Sequence, residues 1–124
     1  DKAHPTDAGL DLYASEPVKI DGWGTVPTGL SIRVPQDHMG LVCSRSGLAS
    51  GGLFVLNAPG IIDSGYHGEI KIILGNLNHK PYRVKKGDRI AQLVIIPVPL
   101  IQYREVDELS ETERGDGGHG STGR

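Results

Sequence analysis

A segment near the middle of the chain carries residues suited to activating water beside a bound nucleoside. Asp63 follows an apolar stretch and precedes a glycine-rich turn, so its carboxylate can be held at a cleft edge and accept a proton from water. Tyr66 follows three residues later, where its ring can lie against a sugar, and Asn57 offers the paired donor and acceptor that read a base edge. By itself, the segment is better explained as an Asp in a β-turn beside a half-buried Tyr.

Two further segments carry groups that can hold phosphate or metal. Arg45, Ser46 and Gly47 place a guanidinium, a hydroxyl and a glycine amide at a predicted helix start, which suits an oxyanion. A helix cap beside a solvated arginine explains them about as well. Gln92 lies inside an apolar run, and its amide must be hydrogen-bonded to the protein or to a ligand, because leaving it unpaired costs about 1–3 kcal/mol. Asp11, taken alone, is best explained as a surface aspartate.

The last residues of the chain combine glycines with groups that recognise nucleotides. Arg114 supplies a cation, His119 an aromatic plane, and Ser121 and Thr122 two hydroxyls. A flexible linker explains the glycines but not the residues beside them. An arm that folds over a nucleotide explains both, with amides such as that of Gly120 on phosphate and the imidazole stacked on the base.

The elements that position these residues are predicted to be short strands. The chain of 124 residues has 18 glycines and 8 prolines, well above typical usage. Apolar residues recur at every second position in residues 30–34 and 70–74, which predicts half-buried strands, and the β-branched run 90–96 predicts a buried strand. Only residues 46–50 are predicted to form a short helical turn. The predicted fold class is an all-β sandwich or barrel.

Length and composition restrict the class of protein. We expect a β domain over residues 1–113 and a flexible arm over residues 114–124. A formal net charge of -2 argues against a broad basic face for nucleic acid. The single cysteine, Cys43, cannot form an internal disulfide and fits a reducing, cytoplasmic compartment. No apolar run approaches the roughly 20 residues that span a bilayer, which predicts a soluble protein that does not bind membranes.

Size also bears on where a binding site can lie. A sandwich of this length has little room for a deep pocket of its own, so a cleft between subunits is the favoured place for a site. We therefore expect a symmetric oligomer.

Five segments in this order and spacing closely resemble the five motifs of the trimeric dUTPase family. They are residues 8–12, 44–48, 57–69, 86–92 and 114–124. The third and fifth are the most specific individually, and the ordered set is highly specific. The resemblance covers nearly the whole chain, from Ala8 to Gly123.

The resemblance implies a fold, an assembly and a reaction. Members of the family are jelly-roll-like β proteins that form homotrimers, and each active site uses residues of all three chains. They hydrolyse dUTP to dUMP and pyrophosphate with Mg²⁺ by in-line attack of water on the α-phosphorus. The reaction limits uracil incorporation into DNA and supplies dUMP for dTMP synthesis.

The resemblance also assigns roles by position. Asp63 matches the aspartate that orients the attacking water, and Arg114 matches the arm's arginine on the γ-phosphate. Asp11 matches the acidic residue that holds magnesium indirectly, through water. The base and sugar positions are matched by Asn57, Gly60, Ile61, Ile62, Tyr66, Lys71 and His119. The phosphate positions are matched by Arg45, Ser46, Gly47, Gln92, Gly120, Ser121 and Thr122.

Two residues depart from the family pattern, and two rival functions stay open. His119 replaces the usual phenylalanine and can still stack on uracil while also taking up a proton. Ser44 replaces the usual proline, so we expect a looser approach of that loop.

One rival function is dCTP deaminase of the same fold, for which Glu69 is a candidate acid/base, although residues 45–47 and the tail argue against it. The other is a non-catalytic nucleotide-binding β module.

Overall fold

The computed structural model describes residues 7–99 and 101–108, which form nine strands and one short helix. In chain order the elements are β1 (Leu10–Tyr13), β2 (Val18–Ile20), β3 (Trp23–Pro27), β4 (His38–Cys43), α1 (Ser46–Ser50), β5 (Leu53–Val55), β6 (Gly60–Asp63), β7 (Lys71–Asn76), β8 (Tyr82–Val84) and β9 (Arg89–Pro97). The molecule is therefore an all-β protein of jelly-roll-like architecture, as the sequence predicted.

The strands form three antiparallel sheets. The largest has the order β1-β9-β4-β6, the second has the order β3-β7-β5, and β2 pairs with β8. Strand β9 is central, because its first half pairs with β1 while residues from Gln92 to Pro97 pair with β4. This arrangement places β1, β6 and β9, which carry parts of three of the predicted site segments, in one sheet, and a fourth segment directly follows β4 of the same sheet.

A single apolar core holds the sheets together. Every strand contributes at least one buried side chain to it. The members from β1 to β9 include, in order, Leu12, Ile20, Val26, Val42, Leu53, Ile62, Ile72, Val84 and Ile90. Because burial of apolar area is the main favourable term in folding, this shared core fixes how the three sheets sit against one another.

Most predicted elements are confirmed. The pattern in residues 70–74 falls in β7, where Ile72 and Leu74 are buried. The run 90–96 falls in β9, but the predicted burial holds only for its first half, since Ile95 is exposed. The predicted helical turn is α1, with the same bounds.

The strand predicted for residues 30–34 is wrong. Val34 is buried and Ile32 half-buried, so the alternation of side chains is real, but no strand pairs with this stretch in the part of the chain described. The Ile70 amide donates to the Leu30 carbonyl at 2.8 Å, and beyond that point the backbone leaves the sheet. Alternation reports which side chains are buried. It does not report whether a neighbouring strand lies within hydrogen-bonding distance.

The predictions about the arm concern residues that lie outside the described part of the chain. These are the domain boundary before residue 114 and the roles of Arg114, His119, Gly120, Ser121 and Thr122. Within residues 7–99 and 101–108, no helix has the length and apolar character needed to cross a membrane.

Candidate active site

A cavity of about 430 Å³ opens between β6 and β7. Of the residues that the sequence predicted for base, sugar and water, every one that the structure describes lines it: Asn57, Gly60, Ile61, Ile62, Asp63, Tyr66 and Lys71. We call residues 57–71 the cavity corner. Its volume falls in the range of pockets that hold small ligands, so the third motif lines a cavity rather than only a surface turn.

Asp63 stands at the end of β6, opposite Met39 of β4. Its carboxylate is exposed and has no hydrogen-bond or ion-pair partner among residues 7–99 and 101–108. The Tyr66 amide donates to the Asp63 carbonyl at 3.0 Å and closes a turn that fixes the backbone of both residues. Both carboxylate oxygens therefore face solvent at the cavity, where they can accept a hydrogen bond from water.

The remaining walls of the corner are held by short contacts. The Asn57 amide lies over Gly60, about 3.5 Å from where a Cβ of residue 60 would be. On the opposite side, the Tyr66 hydroxyl donates to the Glu69 carbonyl at 2.7 Å. The Asn57 side chain keeps free polar atoms at the cavity, which suits recognition of a base edge.

Glu69 has a structural role that the sequence did not reveal. Its carboxylate accepts a hydrogen bond from the Gly29 amide at 2.9 Å. An acid/base in a deaminase must face the reacting base with its carboxylate available for proton transfer. Glu69 also lines the cavity, but one of its carboxylate oxygens is engaged by the backbone of another loop, which argues against a role as the acid/base of a deaminase.

A second group of predicted residues meets at the opposite end of the large sheet. Asp11 of β1 lies opposite Gln92 of β9, and Gln92 in turn lies opposite Cys43 at the end of β4. The Asp11 carboxylate contacts Arg45 Nε at 3.9 Å and Arg89 Nη1 at 3.5 Å. We call Asp11, Arg45, Arg89 and Gln92 the charged end. The sequence predicted three of these residues, while Arg89 was not singled out.

The Gln92 amide is satisfied by the protein. Its Nε2 donates to the Ser44 carbonyl at 3.0 Å, and a Cβ at Gly9 would lie 2.6 Å from its Oε1. The Ser44 hydroxyl also accepts a hydrogen bond from the Val55 amide at 2.8 Å. We expected Ser44 to loosen this loop. In the structure its hydroxyl and its carbonyl both tie the loop to neighbouring strands.

Helix α1 begins directly after this tied loop. Arg45 is its N-cap residue and makes no side-chain cap, so its guanidinium is available to other partners. The first amides of a helix have no intrahelical partner. Among the described residues nothing lies within 4 Å of where a Cβ of Gly47 would be, so the start of the helix is open on that side.

The cavity corner and the charged end are separate within one chain. Asp63 lies opposite Met39 of β4, whereas Gln92 lies opposite Cys43. These two positions on β4 are four residues apart, which is about 13 Å along a strand, and they face different neighbouring strands. One chain by itself does not bring Asp63 together with the side chains that the sequence predicted for phosphate.

The part of the chain described here contains no group of three or more His, Cys, Asp or Glu side chains that could cage a metal ion. Asp11 is a lone carboxylate whose side chain is about one-fifth exposed. Mg²⁺ commonly keeps several waters and binds through one or two carboxylates plus substrate phosphates. The donor set at the charged end therefore fits indirect coordination of Mg²⁺ and does not fit a site made of protein ligands alone.

The fold and the cavity define a jelly-roll-like β protein with a site for a small ligand such as a nucleotide. A family model described as dUTPase matches residues 1–123. The deoxyuridine 5'-triphosphate nucleotidohydrolase of Gloeobacter violaceus is 48% identical over 126 residues, which cover 98% of this chain and 86% of that protein. The enzyme of the same name from Corynebacterium glutamicum is 50% identical, with coverage of 99% and 85%. The chain belongs to the dUTPase family.

Solved structures support the same assignment. A mutant dUTPase from phage phi11 of S. aureus, described as coordinating a structural Mg(II) ion, superposes with a TM-score of 0.79 at 28% identity. The alignment covers 88% of this chain and 89% of that one. A mutant dUTPase of Staphylococcus bacteriophage 80alpha with dUpNHpp gives a TM-score of 0.77 at 32% identity, and covers 100% and 90%.

Proposed function

We propose that this chain hydrolyses dUTP to dUMP and pyrophosphate by in-line attack of water on the α-phosphorus. The observation that carries the proposal is the exposed carboxylate of Asp63, which has no partner in the described part of the chain and lies beside Tyr66 and Asn57 in one cavity, in a member of the dUTPase family. The reaction lowers dUTP, which limits uracil incorporation into DNA, and supplies dUMP for dTMP synthesis.

Within the cavity corner, each residue has a distinct task. Asp63 accepts a hydrogen bond from the attacking water and orients it toward phosphorus. Tyr66 packs against deoxyribose and leaves no room for a 2′-hydroxyl. Asn57 and the β6 backbone from Gly60 to Ile62 read the uracil edge, and Lys71 completes the wall.

The phosphates are held by cations and amides. Arg45, the amides of Ser46 and Gly47, and Gln92 take the phosphate chain. The arm supplies Arg114 at the γ-phosphate, His119 on the base, and Gly120, Ser121 and Thr122 on phosphate oxygens. Negative charge that develops on the leaving pyrophosphate is thereby neutralised.

The working unit is a homotrimer whose sites lie between subunits. The separation of Asp63 from Gln92 within one chain supports this, because a triphosphate at the cavity corner needs phosphate-binding groups close by. Large apolar side chains also face solvent in the single chain, among them Trp23 at 62% exposure and Leu77 at 75%. Such side chains are typical of surfaces covered on assembly.

Magnesium is the proposed cofactor, held through water by Asp11. When bound with the substrate, Mg²⁺ supplies positive charge next to the triphosphate oxygens. The protein's own part is to present the Asp11 carboxylate at the charged end, where Arg45 and Arg89 lie beside it.

A cytoplasmic location completes the proposal. The one cysteine of the chain, Cys43, is a free, half-buried thiol, which fits a reducing compartment.

The decisive experiment measures pyrophosphate release from dUTP, dTTP, dCTP and UTP, each with and without Mg²⁺. We expect release from dUTP alone, with a strong dependence on Mg²⁺. Ammonia release from dCTP would instead identify a deaminase, and nucleotide binding without turnover would identify a non-catalytic module.

A further inference from the structure

The Tyr66 ring is nearly half exposed, and its position depends on the contacts of its hydroxyl group. Its hydroxyl donates to the Glu69 carbonyl at 2.7 Å, three residues further along the chain. An exposed aromatic side chain otherwise changes rotamer readily. The angle of this wall of the cavity therefore depends on what holds the ring and on where the Glu69 carbonyl lies.

Gly68 leaves the space that the ring occupies. A Cβ at this residue would lie 2.6 Å from Tyr66 Oη and 2.8 Å from Cζ, closer than real Cβ atoms come to other heavy atoms. The φ angle of Gly68 is outside the left-handed region, so its backbone does not itself require glycine. Any side chain at residue 68 must push the tyrosine ring away.

The backbone carbonyl that accepts the hydrogen bond from the Tyr66 hydroxyl belongs to Glu69, whose side chain fixes its position. Its carboxylate accepts from the Gly29 amide at 2.9 Å, and Gly29 reaches that orientation with a φ of +67°. The next residue, Ile70, donates its amide to the Leu30 carbonyl at 2.8 Å and accepts from the Thr28 hydroxyl at 2.6 Å. Residues 28–30 therefore clamp residues 69–70 by these three hydrogen bonds.

We propose that Gly68 and Glu69 are positioning residues that hold the Tyr66 ring at the sugar and thereby set the preference for deoxyribose over ribose. The inference rests on the proposed function, in which Tyr66 is the wall against deoxyribose. Discrimination against a 2′-hydroxyl is steric, so a ring that tilts outward admits the larger sugar. Both residues act through the tyrosine ring.

The first test compares kcat/KM for dUTP and for UTP in the wild type, Gly68→Ala and Gly65→Ala. In Gly68→Ala the ratio of dUTP to UTP is expected to fall by about tenfold, because the added methyl displaces the ring. Gly65→Ala is the matched control: it adds the same methyl next to Tyr66, at a residue that does not line the cavity and has nothing within 4 Å in the described part of the chain, and it keeps the wild-type ratio. An unchanged ratio in Gly68→Ala, or an equal fall in Gly65→Ala, overturns the inference.

The second test separates Glu69 from general stability. Glu69→Ala frees the Gly29 amide and should lower the ratio about threefold, the size expected for loss of one hydrogen bond. Glu69→Gln keeps an oxygen that can accept from this amide and restores the wild-type ratio. A wild-type ratio in Glu69→Ala overturns the role of Glu69, and this pair decides the matter if circular dichroism shows that Gly68→Ala is unfolded.

The two proposals can fail separately. A wild-type protein that releases no pyrophosphate from dUTP removes the proposed function. A wild-type enzyme that prefers dUTP, together with variants that keep its ratio, removes only this inference.

Discussion

The cavity corner and the charged end are stabilised by different kinds of interaction. In the corner, directional hydrogen bonds of 2.7–3.0 Å connect Tyr66 to Asp63 and Glu69, and Glu69 to Gly29. At the charged end, Asp11 contacts its two arginines only at 3.5 and 3.9 Å, between partly exposed side chains. Exposed ion pairs contribute about 0–1 kcal/mol and are screened by salt, whereas hydrogen bonds fix both distance and angle.

The two kinds of interaction suit two different tasks. The cavity corner suits selection of the base and sugar, and the charged end suits neutralisation of phosphate charge. The corner is rigid before any ligand arrives, which suits discrimination between bases and sugars that differ by a few atoms. The charged end can rearrange around phosphate and Mg²⁺, since little free energy holds its ions in one geometry. Substitutions in the two regions should therefore act on different quantities.

The largest effect is expected from Asp63→Asn in the corner. The amide keeps the shape of the side chain but is a poor base, so kcat should fall by about 10⁴-fold while dUTP binding is largely retained. Pyrophosphate release gives kcat, and calorimetry with a non-hydrolysable dUTP analogue gives Kd. Asp21→Asn, in an exposed residue outside both regions, is the control. A kcat unchanged from wild type would refute the role of Asp63.

Removal of residues 114–124 should act on neither region directly. If the arm delivers Arg114 to the γ-phosphate, kcat should fall by about 10³-fold while the assembly stays intact, because a charge-neutralising arginine contributes that much to phosphoryl transfer. Light scattering checks the oligomer and pyrophosphate release checks the rate. A truncated enzyme of normal rate would contradict the arm hypothesis.

A mixture of two inactive variants tests whether the two regions of one site come from different chains. Asp63→Asn and Arg45→Ala, refolded together in equal amounts, should recover about a quarter of wild-type activity, because random assembly pairs an intact corner with an intact charged end at that frequency. Each variant refolded alone is the control. No recovery would place both residues of a site in the same chain.

The smallest effects are on stability. Arg89→Ala should lower the free energy of unfolding by less than about 1 kcal/mol, since its contact with Asp11 is largely exposed. Thr28→Val, which removes the 2.6 Å hydrogen bond to the Ile70 carbonyl behind the corner, should cost about 1 kcal/mol. Urea titrations at a fixed protein concentration measure both. A larger loss for Arg89→Ala would reverse the comparison of the two regions.

Several features followed from the sequence because they depend on local pattern and side-chain chemistry. The period of two in residues 70–74 and the β-branched run 90–96 correctly predicted β7 and β9, since both lie in sheets with the core on one side. The order of the five motifs was enough to identify the family, and the residues of the third motif do line one cavity.

Other features depended on contacts between distant parts of the chain. The bonds from Glu69 to Gly29 and from Gln92 to Ser44 join residues 40 and 48 positions apart, and neither partner marks the other in the sequence. The same holds for residues 30–34, whose alternating side chains were read correctly although no strand in the described chain pairs with them. The sequence by itself determined which side chains are buried and which can do chemistry. Only the folded sheet decided which of them meet, because that depends on strand order and register rather than on neighbours along the chain.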